Sequence, residues 1–421
     1  MALAYIRLAT AGHRRPAQHA GVSATHTHLH LLLLHSMSDL PEPYTSAEND
    51  FRSDTFTTPT AEMMQAACSA SIGDAVYNED LDTLALERQV AQLAGKPAGL
   101  FCVSGTLSNQ IALRAHLYQP PYSVLCDYRA HVYTHEAAGL AILSQAMVTP
   151  VVPSNGNYLT LEDIRRAYIA DDGDIHGAPT RVVSLENTLH GIVHPVDELV
   201  RIKAWCVENQ IRLHCDGARL WNAVIESGVP MKQFGEIFDS ISICLSKSLG
   251  APMGSVLVGD AKFIKKCNHF RKQQGGGVRQ SGMMCRMASV AVQGDWRAHL
   301  ARSHRMAHEL AAFCATHGIP LESPADTNFV FIDLRRARMD PDVLVKKGLK
   351  YHVKLMGGRV SFHYQISDAS LERVKIALLE AFQHAQEHPF DTDGPTKIYR
   401  SESTEVDIEG NAIGELQTYK Y

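Results

Sequence analysis

Through the middle of the chain, short and nearly continuous apolar runs alternate with longer stretches of helical period. The runs fall at 99–103, 124–126, 182–185, 213–215, 241–245 and 256–258. Between them a 3.6-residue period predicts helices over 81–93, 106–117, 161–169 and 196–207. Asp80 and Thr160 stand where N-caps belong, and Gly95 stands where the first of these helices has to stop. Strands apolar on both faces, each followed by a helix, predict an α/β fold with a mainly parallel central sheet covered on both sides.

Beyond about residue 295 the rhythm changes. A helix over 300–314, strands at 328–332 and 359–362 and a last helix over 371–384 suit a smaller C-terminal α+β domain. The expected organisation is an N-terminal extension (1–45), a large domain (46–295), a small domain (296–390) and an acid-rich polar tail (391–421).

Two of the strands end in chemistry. The run at 213–215 leads into Asp216, with Arg219 three residues on, and the run at 241–245 leads into Lys247. Acid and amine are 31 residues apart, room for one strand–helix–strand unit. In an open parallel sheet both then lie at the carboxyl edge, where ligands bind. A carboxylate and a lysine so placed are what pyridoxal 5'-phosphate requires. The amine condenses with its aldehyde, and the acid keeps its ring nitrogen protonated so that the ring accepts electrons. The plain alternative is solvated surface charge. Against it stand the small neighbours Gly217, Ala218, Ser246 and Ser248, and Gly250, Pro252 and Gly254 just beyond the lysine.

Other element ends add to the pair. Ser104, Gly105 and Thr106 join a strand to a helix, a junction whose free N–H groups and dipole suit a phosphate. His131, followed by His135 and Glu136, comes after the strand at 124–126 and is placed to stack on a ring or handle a proton. Asn187, after the strand at 182–185, is placed to hydrogen-bond the cofactor's phenolic oxygen. Arg219, Arg359 and the FRSDT segment with Ser53 are candidates for a substrate carboxylate. Arg279, after three glycines, offers charge to the phosphate or the substrate.

Composition narrows the class. The 421 residues are 45% hydrophobic and 20% charged, and a net charge of −5 without a basic block argues against a nucleic-acid partner. Nine cysteines show no C-x-x-C pair, so neither a metal site nor a disulfide framework is expected. Cys102, Cys126, Cys215 and Cys244 read as small buried hydrophobes. No apolar run reaches membrane length. Residues 1–38 hold Arg7, Arg14 and Arg15 and no acid, as a mitochondrial presequence would. An unstructured extension, or a start at Met37, is the alternative, so a cytoplasmic setting is expected beside a mitochondrial one.

Taken together the motifs resemble the threonine aldolases, above all the fungal low-specificity L-threonine aldolases of the β-eliminating lyase superfamily. The matching stretches are FRSDTFTTPT, GDAVYNEDLDTLALE, SGTLSNQIAL, AHVYTHEAAG, LENT, HCDGARLWNA, LSKSLGAPMGSVLVG, RKQQGGGVRQSG and GRVSFH, in order from Phe51 to His363. The resemblance implies a pyridoxal-phosphate enzyme of fold type I, like aspartate aminotransferase, built as a homodimer or homotetramer. It implies Lys247 as the Schiff-base lysine, Asp216 on the ring nitrogen and His131 stacked on the ring. Gly105 and Thr106 would hold phosphate, Ser53, Arg219 and Arg359 the substrate carboxylate, and Tyr77 would line the pocket. Val103 stands where relatives often have proline, and Leu189 precedes His190 where many relatives place a histidine directly. The expected reaction is cleavage of L-threonine and L-allo-threonine to glycine and an aldehyde. Another pyridoxal-phosphate lyase or aminotransferase, or a non-catalytic homologue, would share the same pair.

Overall fold

A computed structural model of the chain describes residues 47–390. Seven strands of that region form one sheet: β1 (Ala98–Cys102), β2 (Ser123–Asp127), β3 (Met147–Val151), β4 (Thr180–Glu186), β5 (Arg212–Gly217), β6 (Ser240–Cys244) and β7 (Ser255–Gly259), in the order β1-β7-β6-β5-β4-β2-β3. The pairs among β2 to β6 are parallel, and β7 is antiparallel to both its neighbours. Because β1 and β6 each oppose β7, β1 runs the same way as the parallel strands. The carboxyl ends of β1, β2, β4, β5 and β6 therefore share one edge, the edge to which a ligand is drawn.

The helices around the sheet form where the period put them. Leu81–Leu93 is capped by the Asp80 carboxylate, and Leu161–Ala167 opens with a capping box between Thr160 and Asp163. β6 and β7 are too close in sequence for a crossover helix, so they make an antiparallel pair. β3 was not expected. It carries Pro150 and lies at the sheet's edge, where a residue without an N–H is tolerated.

Burial gathers one large core around the sheet and a second one from Phe51 and residues between Met306 and Ala385. The second includes the antiparallel pair β8 (Phe329–Phe331) and β9 (Arg359–Ser361). The 21-residue helix Trp296–Thr316 straddles the two, with Trp296 and Leu300 in the first core and Met306 to Cys314 in the second. Phe51 belongs to the second core although it lies far from it in sequence: its N–H donates to the Lys354 carbonyl and its carbonyl accepts from Ser361. The extension (1–45) and the tail (391–421) fall outside the described residues. Among the described residues no helix is long and apolar enough to cross a membrane.

Candidate active site

Asp216 and Lys247 face one cavity of 250 Å³, together with Ser104, Gly105, Thr106, Asn109, His131 and Ala218. Asp216 is buried near the end of β5, where its two oxygens accept from Ala218 N at 3.0 Å and Asn109 Nδ2 at 2.8 Å. Lys247 leaves β6 on a turn closed by Gly250 N donating to its carbonyl at 2.9 Å. Gly250 has φ +77, and a Cβ there would stand 2.6 Å from the Tyr364 hydroxyl, so that turn requires glycine. Ser104 caps the helix Gly105–His116 by accepting from Leu107 N at 3.1 Å. The first N–H groups of that helix remain for a ligand at the cavity wall.

His131 opens a short helical turn (His131–Thr134), and its ring lines the same cavity. Its Nδ1 is 2.8 Å from Glu136 Oε1, and its backbone N–H donates to Glu186 Oε2 at 2.9 Å. The His135 ring stacks on it with centroids 5.6 Å apart. Burial works against charging the His131 imidazole, but Glu136, Asp216 and Glu186 outweigh it and raise its pKa. Glu136 is buried and also accepts from Asn109 and Gln110. Glu186 sits opposite Asp216 across the β4–β5 register. Burial first, and then the Asp216 charge, push its pKa up to about 7. His131, Glu136 and Asp216 bring ligand-type atoms within 4.8 Å of one another, yet each is already committed to hydrogen bonds.

The carboxylate-binding candidates also meet. Asp54 is fully buried and takes Arg219 Nε and Nη2 at 2.7 Å each, with Ser248 Oγ donating to it at 3.0 Å. Burial pushes the Asp54 carboxyl up, and the Arg219 guanidinium overrides this, holding it well below the usual carboxylate range. Arg219 and Arg359 both lie over the Phe329 ring, at 4.4 and 5.5 Å, and Arg359 Nη2 donates to the Arg52 carbonyl at 2.7 Å. Ser53 follows Arg52 and caps the short turn Asp54–Phe56. Ser248 adjoins Lys247, so this cluster abuts the amine.

Not every expectation lands there. Tyr77 does not line the cavity of its own chain. It closes the turn Ala75–Tyr77, which Asp74 caps and Arg279 anchors through its carbonyl, and it is 75% exposed. Arg279 lies apart as well: its side chain is 74% exposed and 3.9 Å from Asp74. Asn187 is fully buried and is not among the residues that line the cavity. Its N–H donates to the Asp216 carbonyl at 3.0 Å, its Oδ1 accepts from His194 N, and its Nδ2 has no acceptor among the described residues. Sequence reading gave no role to Asp54, Asn109 or Glu186. Asp54 stood beside Ser53 in the same motif. Asn109 is signalled only by a polar Ser-Asn-Gln run inside an otherwise apolar helix.

Cys102, Cys126, Cys215 and Cys244 are buried, as small hydrophobes are. Burial pushes the Cys102 and Cys126 thiols up to about 12.

The donor set fits pyridoxal phosphate. A half-buried amine, a buried carboxylate, a helix N-terminus and an imidazole converge on one cavity, and the buried Nδ2 of Asn187, whose backbone N–H bonds the Asp216 carbonyl, has no acceptor among the described residues.

A model of the β-eliminating lyase family matches residues 50–337. The low-specificity L-threonine aldolase of Eremothecium gossypii is 76% identical over 383 residues, covering 91% of this chain and 99% of that protein. The low specificity L-threonine aldolase of Saccharomyces cerevisiae is 75% identical, with the same coverage of each. Among solved structures, a threonine aldolase of Leishmania major superposes with a TM-score of 0.66 at 20% identity, covering 80% of this chain and 98% of that one, a likeness of fold.

Proposed function

The chain belongs to the β-eliminating lyase family, and on that premise we propose that it cleaves L-threonine and L-allo-threonine, with other β-hydroxy-α-amino acids, to glycine and an aldehyde, reversibly. The observation that carries this reading is the shared cavity of Lys247 and Asp216. Pyridoxal phosphate, when bound, supplies an electron sink for the carbanion left at Cα as the Cα–Cβ bond opens.

The chain's own residues do the rest. Lys247 offers the amine that tethers the cofactor, and Gly105 and Thr106 offer the helix N-terminus to its phosphate. Asp216, at the cavity end of β5, would face the ring nitrogen and hold its proton. Asn187 Nδ2 suits the phenolic oxygen. Arg219, Arg359 and Ser53 take the substrate carboxylate and so aim Cα–Cβ across the ring. Asp54 fixes the plane of the Arg219 guanidinium. With Nδ1 facing Glu136, His131 supports ring and proton traffic from the cavity wall.

We infer further that the enzyme works as a homodimer or homotetramer. The exposed apolar side chains Met64, Ile72, Tyr77 and Leu81 along one stretch of chain support this. A small amino acid and an aldehyde are its partners, rather than nucleic acid or a membrane, and glycine formation is its place in metabolism. A cytoplasmic setting fits, with mitochondrial import as the alternative that the acid-poor leading segment supports.

The test is aldehyde release from L-threonine and L-allo-threonine by the purified holoenzyme, followed by a coupled reductase. Lys247→Ala should abolish steady turnover and the visible band of the lysine–cofactor adduct. A coloured wild-type protein that frees no aldehyde would point to another lyase or an aminotransferase. A protein that stays colourless with added cofactor would point to a non-catalytic homologue.

A further inference from the structure

Behind Asp216 lies a buried polar chain that the reaction as described does not use. Asn109 Nδ2 is 2.8 Å from Asp216 Oδ2 and 2.9 Å from Glu136 Oε1. Carboxylates only accept, so the amino end of this amide faces them and its oxygen faces away. That oxygen is 3.2 Å from His214 Nε2, which must then carry a proton. Burial pushes the His214 pKa down to about 4 and that of His116 down to about 3, so both rings are neutral. Neutral His214 with a proton on Nε2 has a bare Nδ1, 2.8 Å from Ser240 Oγ, and Ser240 is the donor there. The same hydroxyl oxygen, 2.7 Å from His116 Nε2, accepts in turn. Each assignment follows from the one before it, starting at the two carboxylates.

We propose that Asn109 and His214 are positioning residues, the last links of a one-way chain of four hydrogen bonds that runs His116→Ser240→His214→Asn109→Asp216. His116, at the far end of the helix that Ser104 caps, lines a separate surface cavity with Arg181, Lys203 and Arg212. Ser240 begins β6 and Asp216 is near the end of β5, so the chain crosses the sheet from one edge to the other. Every donor points toward Asp216. The arrangement fixes its orientation without adding a charge. Through Glu136 the same amide also holds His131, so one side chain aligns both groups that face the ring.

The inference rests on Asp216 facing the cofactor's ring nitrogen, and two variants separate the two ideas. Titration of the apoprotein with pyridoxal phosphate gives the cofactor dissociation constant and the pH profile of the adduct band. His214→Phe removes the N–H and should weaken cofactor binding by about tenfold or more while displacing that profile. His214→Gln keeps an N–H near the ε position and should stay within about threefold of wild type. Neutron diffraction of the wild-type protein should place protons on Nε2 of both His214 and His116, a readout that survives even if His214→Phe fails to fold. A proton on His214 Nδ1 overturns the chain, as does a folded His214→Phe variant that binds and titrates like wild type. If Asp216→Asn also leaves binding and the band unchanged, the reading of Asp216 fails instead.

Discussion

Asp54 shows how much one buried side chain can settle. It pairs with the buried Arg219, fixes the guanidinium plane and receives Ser248 from the turn that carries Lys247. Removing its charge takes the carboxylate away from a buried guanidinium, a loss of roughly 3–5 kcal/mol for a buried pair. Asp54→Asn should therefore lower the melting temperature and raise KM for threonine by about tenfold. Intact KM in a folded variant would break the link between Asp54 and carboxylate binding. The pH sense follows from the depressed pKa: the pair's contribution is present above the ordinary carboxylate range and is lost as acid protonates Asp54. Glu186 has the opposite sign. Its folded pKa, about 7 against an ordinary 4.5, means that the folded apoprotein holds a proton which the unfolded chain has released. Stability should then fall as pH rises from 4.5 to 7, by up to roughly 3 kcal/mol and less where the carboxyl reaches cavity water. Urea unfolding of the apoprotein across that range tests it. Glu186→Gln should flatten the slope, and a wild-type slope of zero or of the other sign would refute the assignment.

At the level of elements, strands were legible because buried parallel strands read as apolar runs, and their ends carried Asp216 and Lys247 into view. β3 escaped because an edge strand needs neither continuous apolarity nor every N–H, and none of its residues before Val151 is buried. The polar side chains behind the sheet escaped for a different reason. Asn109 and His214 are 109 and 214 in a chain whose fold alone sets them 3.2 Å apart, and no spacing announces such a pair. Tyr77 stands outside the cavity of its own chain because it closes the Asp74-capped turn Ala75–Tyr77, with its side chain exposed. The turn after β6 was readable from Gly250, and its geometry yields a prediction. Gly250→Ala adds a methyl 2.6 Å from the Tyr364 hydroxyl at a left-handed φ of +77, costing roughly 1–3 kcal/mol. Lys247 would shift with the turn, so kcat should fall by more than the loss of stability explains. Unchanged kcat and melting temperature would show that the turn is slack.

On the scale of the whole molecule, the site is assembled from three distant parts of the chain, and the second core holds two of them together. Phe51 is fully buried there, edge-on to Phe362 with ring centroids 5.5 Å apart, and its backbone pairs with Lys354 and Ser361. Ser53 and Asp54 follow it directly, so their reach toward Arg219 depends on where Phe51 is anchored. β9 brings Arg359 to the Arg52 carbonyl from the same core. Phe51→Ala should cost roughly 3–5 kcal/mol, as a large buried aromatic does when it leaves a cavity. The informative quantity is the split between binding and chemistry. If the second core positions the carboxylate-binding residues, KM should rise several-fold while the lysine–cofactor band, which depends on the sheet edge, stays as in wild type. Loss of stability with KM unmoved would mean that Ser53 and Asp54 are held by Arg219 and Ser248 alone. A band that fades along with KM would mean that the second core also supports the cofactor.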